Sequence, residues 1–471
     1  MPIVYPYTQY SGIWNISSQA NARGSNLWPA VPGAPTIGTA TAGNASASVT
    51  FTAPANLGVP AATSYTVTSS PSGITGTGSA SPITVSGLSN GTSYTFTVTA
   101  TNLAGTSPAS AASNSVTPAV PSQLWSWGQD NFGQLGLGNT TYYSSPKQVG
   151  SLTNWLYISG GQYTTLATKS DGTIYSWGNN SGGKLGLGNT TYYSSPKQIG
   201  ALTTWLYVAA SRYFSLATKT DGTLWSWGSN GSGQLGIGLV SFASYSPVQV
   251  SGSSWNRIAN GRKHAVATQT NGTLWAWGIN TSGQLGLGDT TDRSVPVQIG
   301  GLTTWSVVSA KFNQSLAIKT DGTLWAWGVN GNSQLGLGNS TDYSSPKQVG
   351  ALTQWVQVAC GSYHTLALKT NGTLWAWGQG SFGQLGLGNT TSYNSPMQVG
   401  ALTNWYEISG GIRSSLSIKT DGTLWSWGFN GQGQLGNGNT ANTNSPNQVG
   451  ALATWLKTSG GYRHTISTKS P

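Results

Sequence analysis

The chain has 471 residues and a net charge of +11, with charged side chains at only 6% of positions, 66 glycines, 22 tryptophans and one cysteine, Cys360. An aromatic content of 11% excludes a disordered polymer, and the lone cysteine excludes an internal disulfide framework. No apolar run approaches the roughly 18 residues of a spanning helix and no dense Lys/Arg run marks a nucleic-acid arm, so an all-β, turn-rich protein without membrane insertion or a specific nucleic-acid partner is expected.

Residues 1–32 are aromatic and polar, and their start, MPIVYPYTQYSGIW, lacks the basic and apolar regions of an export signal. Tyr5, Tyr7, Tyr10, Trp14 and Trp28 are costly to leave in water, at about 1.5–3 kcal/mol for each large side chain that could be buried. An extended attachment arm that docks on another protein is the expectation. Loosely, the segment is similar to N-terminal attachment segments of phage appendage proteins. Residues 33–118 alternate as short strands, with SYTVT at 64–68 and GLSNGTSYTFTVTATNLAGTSPAS at 87–110, and Leu88 stands six residues before Tyr94. These phrases resemble a fibronectin type III domain, which implies a β-sandwich with Tyr94 at its tyrosine corner and Phe51 where that family often has tryptophan. The stretch has no charged residue and reads as a spacer.

From residue 122 onward one phrase recurs. WxWG begins at Trp125, Tyr175, Trp225, Trp275, Trp325, Trp375 and Trp425, and a second tryptophan recurs at Trp155, Trp205, Trp255, Trp305, Trp355, Trp405 and Trp455, always 50 residues apart. These two series hold 20 of the 22 tryptophans, so tryptophan here is framework. Each unit reads as four strands: A like WLYVA, B like FSLATK, C like LWSWG, and D around PKQIG. B and C are joined at Asp-Gly or Asn-Gly, a hairpin signal read as requiring positive φ at both turn residues. Seven sheets too thin to stand alone pack as a propeller. The repeat region opens at a strand C and closes at strands A and B, so one blade is expected to draw on both ends of residues 122–471.

The phrases YHTLALKTNGTLWAWG (363–378) and GQLGLG (383–388) resemble the regulator of chromosome condensation repeat family. That resemblance implies a seven-bladed propeller with a closing blade of mixed origin. It does not carry function with it. Nucleotide exchange on a small GTPase is not expected, because the units are uniform in length and carry no wedge-like insertion.

Copies within one chain can be compared with each other. Their strand frames barely change, whereas their A–B loops diverge. That divergence marks an exposed rim and proposes Tyr163, Arg212, Tyr213, Phe214, Arg262, His264, Phe312, Tyr363, His364, Arg413, Tyr462, Arg463 and His464 as ligand- or partner-binding residues. Strand alternation puts the C–D loops, with Tyr142, Tyr192, Phe242 and Tyr245, on the same face. Lys169, Lys219, Lys319, Lys369, Lys419 and Lys469 form a second ring beside the turns, read as solvated and weakly paired or as a basic docking ring. Cys360 aligns with small residues and reads as packing. The histidines do not fall on neighbouring blades and the acids suggest no facing carboxylate pair, so no metal, no cofactor and no catalysis are expected. A surface-type composition without an export signal, in an arm–spacer–propeller plan, fits a virion. The expectation is a phage structural protein, a tail or head fibre or similar appendage. It would be assembled in the host cytoplasm, attached to other virion proteins by residues 1–32, and present its propeller to a host-surface glycan or envelope protein. The competing expectation is a host-encoded interaction scaffold using the same face.

Overall fold

Alternating strands in the first unit put every second side chain on one side, and those side chains make its core. The computed structural model describes residues 29–240 and 242–471, in two units, Met1–Val120 and Pro121–Pro471. The five aromatic residues assigned to attachment therefore lie outside the described residues. In the first unit β1 (Thr36–Gly43), β2 (Ser46–Thr52), β3 (Ser64–Ser70), β4 (Thr75–Gly78), β5 (Ile83–Ser86), β6 (Thr95–Asn102) and β7 (Gly105–Thr106) form two sheets, ordered β1-β2-β5 and β4-β3-β6-β7. Val49 and Phe51 of β2, Tyr65 and Val67 of β3, and Phe96 and Val98 of β6 are buried between them. Tyr94 is buried and its phenol oxygen accepts the Ser89 amide at 3.1 Å, the expected corner. Phe51 packs on Tyr65 with ring centroids 4.8 Å apart. Ala30 pairs with Val59 through both backbone hydrogen bonds.

The second unit consists of seven four-stranded antiparallel sheets, each in the order A-B-C-D. Six are contiguous in sequence. The seventh pairs Trp455–Gly460 and His464–Lys469 with Gln123–Gly128 and Tyr143–Thr153. His464–Lys469 runs in unbroken register against Gln123–Gly128, with Thr468 opposite Leu124. This composite sheet is blade I below, and blades II–VII follow in chain order. The all-β class, the seven blades and the mixed-origin closure expected from sequence are all present.

Each blade is thin, so its core lies in the seams. Every hydrophobic cluster of the propeller joins two adjacent blades; the one between VII and I contains Trp127, Ile418, Leu424, Val449 and Trp455. Within a blade the strand A tryptophan reaches across strand B to both aromatics of strand C, as Trp205 does to Trp225 and Trp227 at 6.0 and 6.2 Å. The strand B residue between them is small, Ala217 here, because anything larger would fill that space. The second strand C tryptophan then crosses the seam. In all seven blades its indole N–H donates to the carbonyl of the residue at Gln134, Lys184 or their equivalents in the preceding blade, at 3.0–3.1 Å. Trp127 closes the ring onto Gln434.

One local expectation fails. Only the glycine of each B–C turn has positive φ, for example Gly222 at +78°; Asp221 and its equivalents do not. The connection is four residues long rather than two, with the Lys219 amide bonded to the Thr223 carbonyl. Asp221 instead accepts the Thr223 amide at 2.9 Å, an Asx-type turn that needs no left-handed residue at that point. The glycine is held by close approach as well: a Cβ on Gly272 would lie 2.1 Å from the Thr303 carbonyl oxygen.

Candidate binding face

Strand A is the innermost strand of each blade, so its alternate residues line the central channel. Deepest is a ring made from the residue two after each strand A tryptophan. Tyr157 packs against Tyr207 with tilted rings 4.5 Å apart, and Arg257 and Lys457 lie over those rings. Burial pushes Glu407 up, against the pull of Lys457 at 3.9 Å and the Thr458 amide at 2.8 Å. Two residues further along, Ser159, Ser309, Ser409 and Ser459 each accept a backbone amide from the next blade at 2.9–3.0 Å. The channel then opens as a funnel of about 270 Å3 at the A–B loops.

Blade V departs from the others at the funnel. Its strand A runs one residue further, to Lys311, and turns back through Phe312 at φ +54° to pair Lys311 with Gln314. The Lys311 ammonium crosses the axis and donates to the carbonyls of Gly410 in blade VII and Gly460 in blade I, both at 2.6 Å. Burial lowers its pKa to about 8.

Around the funnel mouth, most of the proposed loop residues come together in two arcs. In one, Tyr163 meets Phe132 at 4.9 Å and Tyr462 at 5.6 Å, Phe132 meets Tyr192 at 5.7 Å, and Arg463 lies over Tyr462. In the other, Arg212 and Arg262 lie over Tyr213, and Arg262 also over Phe312. Phe312 meets Tyr363 at 5.4 Å, and Arg413 bridges Tyr363 to Phe382, which meets Phe429. Phe132, Phe382 and Phe429 were missed because they lie in the C–D segments, inside or beside the glycine-rich repeat phrase. A comparison of copies would have found the first two: the place of Phe132 and Phe382 is held by Gly182, Ser232, Ser282, Asn332 and Gln432 in the other blades.

Four of the proposed residues are not on this surface. Phe214, His264, His364 and His464 are buried at 0–1% exposure. They open strand B, where the chain has already turned into the seam. His264 Nε2 lies 2.8 Å from Ser315 Oγ, His364 Nε2 2.9 Å from Ser415 Oγ, and His464 Nε2 3.3 Å from Thr165 Oγ1, each on the next blade. Those hydroxyls give their single proton to the carbonyls of Gln284, Gln384 and Gln134. The imidazole must therefore donate from Nε2, which leaves Nδ1 a buried acceptor without a partner. Burial holds all three down to about 3, so they are neutral seam struts.

The lysines of the second ring are packed on their blades. The ammoniums of Lys219, Lys319 and Lys419 sit 3.7–3.8 Å above the strand C indoles of Trp225, Trp325 and Trp425, with Lys369 and Lys469 somewhat further. Only Lys169 pairs with its turn aspartate, at 3.2 Å. The stem packs and the charge lies on a ring face, worth about 0.5–2 kcal/mol each. Cys360 is buried, its thiol pushed up to about 12 by burial. No group of three or more His, Cys, Asp or Glu that could hold a metal gathers among the described residues. No helix among them is long and apolar enough to cross a membrane.

A model described as the RCC1-like domain matches residues 208–467, and models of the regulator of chromosome condensation (RCC1) repeat match 122–168, 171–218 and 157–184. A fibronectin type III model matches 33–116. Among solved structures, human WBSCR16 is 22% identical with a TM-score of 0.68, over 74% of this chain and 99% of that one. Yeast RCC1 (Prp20), in a crystal structure with Kap60, is 21% identical with a TM-score of 0.66, over 74% and 89%. Prp20p from Saccharomyces cerevisiae, in a structure described together with its binding to Gsp1p and histones, is 22% identical with a TM-score of 0.66, over 75% and 92%. At such identities the likeness shows the fold alone. No curated protein matches the chain in sequence.

Proposed function

The chain belongs to the family of RCC1-like domains, and from that premise we propose that it is a non-enzymatic interaction scaffold that binds its target with the A–B loop face of the propeller. The observation that supports this is the belt of Tyr, Phe and Arg around the funnel, at positions where seven otherwise uniform blades differ. Aromatic and arginine side chains are enriched among the residues that dominate interface energy, because rigid rings bury much area and the planar guanidinium pairs and stacks with its partners. The finer reading is a phage virion appendage, attached through residues 1–32 to other virion proteins and presenting this face to a host-surface glycan or envelope protein. A low-charge spacer ahead of a charged disc supports it.

Replacing Arg212, Tyr213, Phe312, Tyr363, Tyr462 and Arg463 together by alanine tests the face. These six are only half-buried, so the wheel should stay folded while adsorption to host cells falls at least tenfold. Unchanged adsorption by a folded variant refutes the face. Mass spectrometry and labelling of purified particles test the setting, and particles devoid of the chain refute it.

A further inference from the structure

Cations accumulate on one side of the funnel without counter-charges. Arg212, Arg262 and Lys263 all lie within 5.1–5.6 Å of the Tyr213 ring, and Arg262 donates to the Tyr213 phenol oxygen at 3.2 Å. Arg262 Nε is buried and has no hydrogen-bond partner. Behind them Lys184, at 4% exposure, occupies a place that is glutamine in the other blades, and its ammonium meets only the Arg212 carbonyl, at 3.1 Å. Lys311 reaches the funnel axis from blade V. The ion pairs among the described residues are Lys169–Asp171, Arg293–Asp289 and Lys457–Glu407, so none of these five cations is matched. Unpaired buried or half-buried charges repel one another and forfeit hydration, a cost that an anion placed among them removes.

The funnel wall is also rich in donors. The hydroxyls of Ser159, Ser309, Ser409 and Ser459 already accept an amide, and no hydrogen bond in the structure takes up their protons. The carbonyls of Gly410 and Gly460 on that wall are taken by Lys311. No carboxylate lines the funnel. Its volume of about 270 Å3 suits a group the size of a monosaccharide, and Phe312 and Tyr462 on its walls offer ring faces to sugar C–H groups. From this geometry we propose that the funnel binds one anionic sugar residue, its carboxylate or phosphate held by Arg212 and Arg262, with Lys263 beside them over the Tyr213 ring adding to the positive field, and its hydroxyls turned to the serine wall and Lys311. A hydroxyl-rich wall in so narrow a funnel favours a sugar over an acidic peptide. This inference rests on the reading that the A–B face is the binding face, and it names the chemistry of the target.

The full chain should be titrated by calorimetry and saturation-transfer NMR with glucuronate and N-acetylneuraminate as carboxylate probes, glucose 6-phosphate as the phosphate probe, glucose as the neutral control and hexaglutamate as the peptide control. Binding of a carboxylate or phosphate sugar at least tenfold tighter than glucose, weakening as salt rises, is expected; the two acid classes identify which anion is preferred. Arg262→Gln with Lys263→Gln, both half-exposed, should cost tenfold or more without altering the melting temperature by more than a few degrees. Lys311→Met should weaken binding as well, but it also releases two carbonyls and is read only if the fold persists. Equal binding of glucose, tighter binding of hexaglutamate, an unaffected double variant, or no binding of any acid sugar overturns the inference. If acid sugars fail while the six-residue variant still loses adsorption, the anion assignment falls and the binding face stands. If adsorption is also unchanged, both fall.

Discussion

The loop after strand C contains a natural experiment in charge. Asn180, Asn230, Asn280, Asn330 and Asn430 occupy one repeat position, buried in their loops. Each accepts the amide of the leucine five residues on and donates from Nδ2 to the carbonyl nine residues on, at 2.9–3.0 Å. In blade I the residue is Asp130. It accepts the Leu135 amide at 2.8 Å, but its Oδ2 is buried without a partner where the asparagines donate. A carboxylate there faces a carbonyl; a carboxylic acid can donate to it. Burial pushes Asp130 up to about 7, against the pull of the Leu135 amide. The folded pKa lies above the unfolded value of 3.8, so the group's contribution is full below pH 3.8 and is lost as pH rises to 7. The whole window is worth about 4 kcal/mol at 1.36 kcal/mol per unit, and about 2–3 kcal/mol after discounting for solvent screening near a loop surface. Asp130→Asn should therefore be nearly neutral at pH 4, more stable by about 1 kcal/mol near pH 5 and by about 2–3 kcal/mol above pH 7, where the gain levels off. Differential scanning calorimetry of both proteins from pH 4 to 8.5 reads this as a rising difference in melting temperature. A difference that does not vary with pH, or a variant less stable than its parent at pH 8, refutes the argument.

Acid should act in the opposite sense on the seams. His264, His364 and His464 are held down to about 3 against an ordinary value of 6.5, so the stability of their neutral state is complete above pH 6.5 and is lost as pH falls towards 3. At pH 5 each costs about 2 kcal/mol. Replacing all three by glutamine, the residue naturally present at 314, should reduce acid sensitivity in pH-titrated unfolding; an unchanged acid midpoint contradicts the seam assignment. Removing residues 464–471 deletes the strand between Trp455–Gly460 and Gln123–Gly128, and should abolish the propeller's own cooperative transition, read by the fluorescence of its tryptophans; a sharp propeller transition that survives sinks the closure. Trp277→Phe removes the indole donor to the Gln234 carbonyl, at 3.1 Å, together with part of a fully buried side chain, and should cost about 2–4 kcal/mol in denaturant titration. Tyr94→Phe in the sandwich strips the Ser89 amide of its acceptor and should cost about 1–2 kcal/mol.

The framework was legible because it repeats. A spacing of 50 fixes blade number, and the unequal ends of the repeat region fix which blade is shared. Tyr94 was legible through the resemblance to fibronectin type III domains, which implies a hydroxyl at the corner. The direction of the loop residues was not. Tyr213 and Phe214 are neighbours in sequence, yet one lines the mouth and the other is sealed in a seam, because strand B begins between them and its first side chain points at the adjoining blade. Five of the six lysines beside the turns have a strand C indole beneath them, a contact that local spacing does not show. The partners of Lys311 lie 99 and 149 residues away across the axis, beyond the reach of any local pattern. The sequence by itself determined the seven blades and their closure, because both follow from periodicity along the chain, and the sandwich came through the resemblance to fibronectin type III domains. Which side chains the A–B loop face offers, and that it gathers cations without anions, only the tertiary structure decided, because those depend on contacts between blades that local spacing does not encode.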